Sequence, residues 1–152
     1  MIERPDEFIN LLKNRTFKEA DRDEAELQQY LAVALSTLKD SKNASINAHS
    51  RYMLAYEGLH SLATATLLHF SVRPGDVPGH RSTAFSKFCD VLELDLAMRK
   101  VVMDAHDRRN EKTYRSPIPP LTHKEAEALI TVLEFTLPKT TALIASAASK
   151  SE

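Results

Sequence analysis

Leu27-Gln-Gln-Tyr30-Leu31-Ala-Val-Ala34-Leu35-Ser-Thr-Leu38 decides the fold class. Its large apolar residues recur at i, i+3, i+4, i+7, i+8 and i+11, the stripe of one helix face. The pattern predicts an amphipathic helix over 21–42, burying Leu27, Tyr30, Leu31, Ala34, Leu35 and Leu38. The next segment, 45–70, is apolar around more of its circumference. Ile46, Met53, Ala55, Leu59, Leu62, Ala63, Leu67 and Phe70 do not fall on one stripe. A helix of that kind is central and covered on several sides. Gly58, in its middle, costs about 1 kcal/mol of helix stability relative to Ala. Close approach of a neighbouring helix is the usual compensation.

Outward from this pair, glycine and proline mark the loops. The three glycines are Gly58, Gly75 and Gly79; Pro74 and Pro78 join the last two in 72–80, and Pro117, Pro119 and Pro120 precede Leu121. These are the breakers of the chain. Further helices are predicted at 5–13, opened by Pro5 and burying Phe8, Leu11 and Leu12, and at 82–92, burying Ala84, Phe85, Phe88 and Cys89. Another is predicted at 94–110, with Leu94, Met98, Val101, Val102 and Ala105 inward. The last, 122–148, opens with the capping box Thr122-His-Lys-Glu125 and carries Leu129, Val132, Leu133 and Leu143 inward. Pro138 lies inside it and should kink or interrupt it. No segment alternates convincingly with period two, so no sheet is expected. The expected fold class is all-α, a single domain over 1–152, with four main helices and short additional ones.

The 152 residues suffice for a hydrophobic core without staples. Twenty Lys and Arg against 21 Asp and Glu give a net charge of −1, which excludes a strongly basic nucleic-acid binder but not a local basic patch. The lone Cys89 excludes an internal disulfide framework and a cysteine zinc cluster. Set among Phe85, Phe88 and Leu92, it reads as a buried small hydrophobe. No run of apolar residues reaches the ~18 of a membrane span. The opening Met-Ile-Glu-Arg-Pro-Asp-Glu is charged and mixed, unlike a signal peptide, and a cytoplasmic protein without membrane contact is expected.

The chemistry concentrates in Arg108-Arg109-Asn-Glu-Lys112-Thr-Tyr114-Arg115. From 99 to 115, Lys or Arg occurs at 99, 100, 108, 109, 112 and 115 against Asp104, Asp107 and Glu111, a local excess of three positive charges. Cations in a last helical turn offset the negative end of the helix dipole. They can equally form an anion site, because an arginine fork grips phosphate in bidentate fashion.

Three stretches together resemble the HEPN family (higher-eukaryote and prokaryote nucleotide-binding). Arg51-Tyr-Met-Leu-Ala-Tyr-Glu-Gly-Leu-His-Ser-Leu-Ala-Thr-Ala65 is similar to the family's second long helix. Arg73-Pro-Gly-Asp-Val-Pro-Gly-His-Arg81 is similar to the following loop in a bacterial subset. Arg109-Asn110 with Tyr114 stands at the place of the family's arginine–polar–histidine motif. The resemblance implies a HEPN-like bundle that pairs as a homodimer. Many members are metal-independent ribonucleases of toxin–antitoxin or defence systems, in which the ribose 2′-hydroxyl attacks the neighbouring phosphate. Others are non-catalytic binding or partner modules, often beside a nucleotidyltransferase. No cofactor and no metal are implied.

By the same resemblance, Arg109 stabilises phosphate charge and Asn110 is the polar residue beside it. Arg108, Lys112 and Arg115 become candidate RNA or anion contacts. The motif histidine falls on Tyr114. A histidine titrates near pH 6.5 and both takes and gives a proton at neutral pH. A tyrosine, with a reference pKa near 10, is a poor base there but can hydrogen-bond phosphate or stack on a base. His106, three residues before Arg109, shares its helix face and could supply the missing proton chemistry.

Two functions stay open at this stage. One is an RNA-binding and RNA-cleaving protein of bacterial toxin or defence type, with an antitoxin as partner. The other is a non-catalytic module binding a nucleotide or a partner protein. Glu57-Gly-Leu-His60 also matches the Glu-x-x-His half of a di-iron site, but no second copy exists in the chain. Glu57 and His60 then read as polar groups of the central helix. His49, His60 and His69 read as satisfied core residues. Arg73, His80 and Arg81 sit in a loop without phosphate-loop spacing, whose role reads as connection.

Overall fold

A computed structural model describes residues 2–109 and 120–150. Among them the order is α1 (Glu7–Lys13), β1 (Phe17–Glu19), α2 (Glu24–Ser41), α3 (Ala48–His69), β2 (Val72–Pro74), α4 (His80–Val91), α5 (Leu96–Asp107) and α6 (His123–Lys150). Side chains set several of these boundaries. Asp23 accepts from the Glu26 amide at 3.1 Å, Asn47 from the Ser50 amide at 2.8 Å and Asp95 from the Met98 amide at 2.8 Å. Each cap satisfies one of the amides a helix start leaves without a partner. The expected capping box opens α6: Thr122 Oγ1 accepts from the Glu125 amide at 3.1 Å, and Glu125 Oε1 accepts from the Thr122 amide at 3.2 Å.

The helices form a bundle around α3, which packs mainly against α2 and α6 on one side and also against α4. Tyr52, Ala55, Tyr56, Leu59, Leu62, Ala63 and Leu68 of α3 are all buried in the main core. Gly58 lies at the closest approach. A β-carbon built there would stand 2.6 Å from Thr37 Oγ1 of α2 and 2.7 Å from Leu133 Cδ2 of α6. The glycine predicted to admit a neighbouring helix therefore admits two. Arg51, 4% exposed, fastens the same three helices at one end. Its Nε donates to the Ser41 carbonyl at 2.8 Å, and its Nη1 lies 3.0 Å from His123 Nδ1. A smaller core joins Phe8, Phe17, Leu67, Phe70, Val72 and Ala84, with Phe8 edge-on to Phe17 and Phe70.

Two expectations need correction. A sheet is present: β1 and β2 pair antiparallel, with Phe17 opposite Pro74, Lys18 opposite Arg73 and Glu19 opposite Val72. Three residues are too few to display a period, and burial of Phe17 and Val72 holds the ribbon. Gly75 extends it. Its amide donates to the Thr16 carbonyl, and a β-carbon there would meet the Arg15 carbonyl oxygen at 2.1 Å. Leu35, expected inward, is 59% exposed, because the α2 seam narrows to Leu27, Leu31, Ala34 and Leu38. Of the kink or interruption expected at Pro138, the interruption does not occur: α6 runs on through it. Pro138 and Glu134, whose carbonyl loses its donor, both lie on the exposed side, where water can take the amide's place.

One span, His123–Ser146, is long and apolar enough by length and composition to cross a membrane; 39% of that window is buried. Between Ala128 and Ala145 only Glu134 and Lys139 are charged, although no unbroken apolar run occurs.

His69 is buried at the end of α3, edge-on to Phe70, with Arg22 Nη2 3.3 Å from its Nδ1 and Glu24 paired to the same arginine. Burial, then the Arg22 charge, lowers its pKa to about 4.

Gly58→Ala is expected to destabilise the protein by about 1–2 kcal/mol in thermal melts, crowding outweighing the ~1 kcal/mol gain in helix propensity. An unchanged or raised melting temperature would contradict the close approach.

Acid should also weaken the fold through His69. The unfolded chain binds a proton at this residue below about pH 6.5, the folded chain only near pH 4, so stability falls as pH drops between them. The melting temperature should fall by roughly 3 °C or more from pH 7.5 to 5.0, and less in His69→Gln. Equal falls in both proteins would contradict the assignment.

Candidate functional site

A helix advances about 100° per residue, so Tyr56 and His60 stand nearly opposite Gly58 on α3. The Gly58 side is occupied by α2 and α6. Tyr56 and His60 therefore face α4 and α5. Phe85 of α4 fills the space between them. Ring centroids lie 5.5 Å apart for Tyr56–Phe85, 6.0 Å for His60–Phe85 and 5.6 Å for Phe85–His106. Tyr56 and His60, one turn apart, are nearly parallel.

The end of α5 closes this face. After Asp107 the chain continues through Arg108 and Arg109 in a wider, π-type turn, a form found often at functional sites. Arg109 lies with its guanidinium carbon 5.2 Å from the Tyr56 ring centroid and Nη2 3.3 Å from Glu57 Oε1. A cation over an aromatic face and an ion pair together fix its direction. Arg108 turns the other way, with Nη1 3.3 Å from Glu125 Oε2, and so ties α5 to the start of α6. Tyr52, one turn before Tyr56, lies in the field of Arg108, and burial pushes its pKa up to about 12.

Burial dominates the electrostatics of the cluster. It lowers the His60 pKa to about 4, assisted by Arg81 and Arg109 and opposed by Glu57. His60 is therefore neutral at pH 7, the form that accepts a proton. The Tyr56 pKa is raised, also by burial, against the opposing effect of Arg81 and Arg109. His106 is 6% exposed, so it is not a freely solvated acid.

The structure brings His106 and Arg109 of the sequence-derived site together, across Phe85 and Tyr56. It places Arg108 on Glu125, away from them. Asn110, Lys112, Tyr114 and Arg115 lie outside the described residues. Glu57 is exposed and paired with Arg109. Among the described residues no group of three or more His, Cys, Asp or Glu could hold a metal ion. Cys89 is buried, its thiol pKa pushed up to about 11 by desolvation, and it plays no part in the cluster.

Sequence reasoning did not assign Tyr56, Arg81 or Phe85 to a site, and it read His60 as core. The i, i+4 spacing of Tyr56 and His60 did place both on one face. Nothing in the spacing showed that α4 would bring Arg81 to that face. No family model, curated protein or solved structure matches the chain.

Proposed function

We propose that this chain is a HEPN-like protein of toxin or defence type that binds RNA at the α3–α4–α5 junction and cleaves it by metal-independent chemistry. The observation that carries the reading is the convergence of Arg109 with two imidazoles, His60 and His106, around the Tyr56 and Phe85 rings. Cleavage by 2′-oxygen attack forms a 2′,3′-cyclic phosphate and expels the 5′-oxygen. It requires a base for the 2′ proton, an acid for the 5′-oxygen and positive charge beside the phosphate. Arg109 supplies the charge. His60, neutral through burial, has a free ring nitrogen to take the proton, and an anion bound beside it would raise its lowered pKa toward the working range. His106 and Tyr114 are the candidates for returning the proton. The reading includes pairing of two copies, so that two such faces share a cleft.

A second reading, a non-catalytic HEPN-like module that binds a nucleotide or a partner protein, is favoured by two observations. Arg109 already has a carboxylate in Glu57, and His106 is buried.

Incubating a mixed RNA pool with purified protein in EDTA, beside Arg109→Ala, separates the two. Fragments ending in 2′,3′-cyclic phosphate are expected, with a loss of about 10²-fold in the variant. RNA binding without cleavage would transfer the weight to the non-catalytic module. Neither binding nor cleavage by the folded protein would contradict both RNA roles.

A further inference from the structure

Among the described residues, one spot of the α3–α4 junction gathers two guanidinium groups and a buried phenol. The Tyr56 side chain is 1% exposed, and among the described residues its hydroxyl proton has no acceptor. Arg81, the second residue of α4, lies close enough to oppose the rise in the Tyr56 pKa, and it exerts the largest charge effect on His60. A guanidinium has no acceptor atom, so it cannot take the phenolic proton. Arg109 lies over the same ring. Unlike Arg109, Arg81 has no carboxylate partner among the described residues. Leaving a buried donor unsatisfied costs about 1–3 kcal/mol. What the phenolic proton lacks, among the described residues, is an acceptor.

The start of α4 adds to the positive potential at this spot. First helical turns favour acids, because the N-terminal amides carry partial positive charge. The first turn of α4 has no acid and begins His80-Arg81. Gly79 precedes it with φ 84°, yet a β-carbon there would meet nothing within 4 Å, so it serves backbone direction alone. That left-handed residue starts the helix where its first turn faces α3.

We propose that Arg81 and the Tyr56 hydroxyl, with Arg109 across the ring, form an oxyanion subsite for a phosphate-class oxygen. The phenol and the two guanidinium groups donate to the ligand, and the amide end of α4 adds positive potential. The ligand chemistry is shared by a phosphodiester of RNA and by free phosphate. The assignment to RNA rests on the function proposed above; the subsite itself does not.

Melting temperature in about 50 mM inorganic phosphate, against chloride at equal ionic strength, tests it, since a ligand of the folded state raises stability by mass action. Wild-type protein should melt several degrees higher in phosphate, and Arg81→Ala should lose that rise. Tyr56→Phe should be about as stable as wild type in chloride, because it deletes a buried hydroxyl whose proton has no acceptor, yet gain less from phosphate. With an RNA oligonucleotide, Arg81→Ala should bind about tenfold more weakly, with a salt slope smaller by about one. No phosphate-dependent rise in wild type, or equal rises in all three proteins, would overturn the subsite. RNA binding that depends on Arg109 but not on Arg81 would overturn it while leaving the RNA reading intact. A phosphate rise that requires Arg81, without RNA binding, would support the subsite and remove RNA as its ligand.

Discussion

Three helices meet at a position with no side chain, and the rest of the molecule is arranged around that contact. Thr37 and Leu133 both reach the space a β-carbon of Gly58 would occupy. The glycine weakens α3 as an isolated helix, but packing of its faces, rather than propensity, holds a helix inside a protein. Once α2 and α6 are drawn against one side, the opposite side of α3 is left for α4 and α5. Tyr56 and His60 stand there because they flank Gly58 by two residues on either side. The candidate site is thus a geometric consequence of the packing contact.

That site depends on burial for its chemistry. Desolvation keeps His60 neutral and Tyr56 protonated, while the charge comes from Arg81 and Arg109 at the edges. Glu57 answers one of the two arginines. The remaining positive potential sits where α4 begins, in a protein whose net charge is −1. Local field rather than overall charge draws an anion to such a place.

Much of this was legible in the residues themselves. The capping box at Thr122 and Glu125 fixed the start of α6, and the all-round apolarity of 45–70 indicated its central place. Gly58 was read as a close approach before either neighbour was known. The ribbon at Phe17 and Val72 was invisible, because pairing across more than fifty residues leaves no local pattern. Leu35 matched the helical stripe but sits at its edge, where period alone cannot separate covered from exposed. At Pro138 the missing amide is legible in the sequence, whereas the exposure of Glu134, whose carbonyl loses that donor, is not. The weakest point was the site. His106 and Arg109 share a helix turn and could be paired by spacing. Arg81 lies twenty-five residues beyond Tyr56, and only the α3–α4 crossing joins them.

The central claim is that a phosphate group sits beside His60. Titration of the His60 ring protons by NMR, with and without a short RNA whose 2′-oxygens are methylated against cleavage, tests it directly. The free protein should show a midpoint near pH 4. Bound phosphate, an anion close to the imidazole, should move the midpoint upward by about one unit or more. A His60 titration unchanged at saturating oligonucleotide would contradict the account.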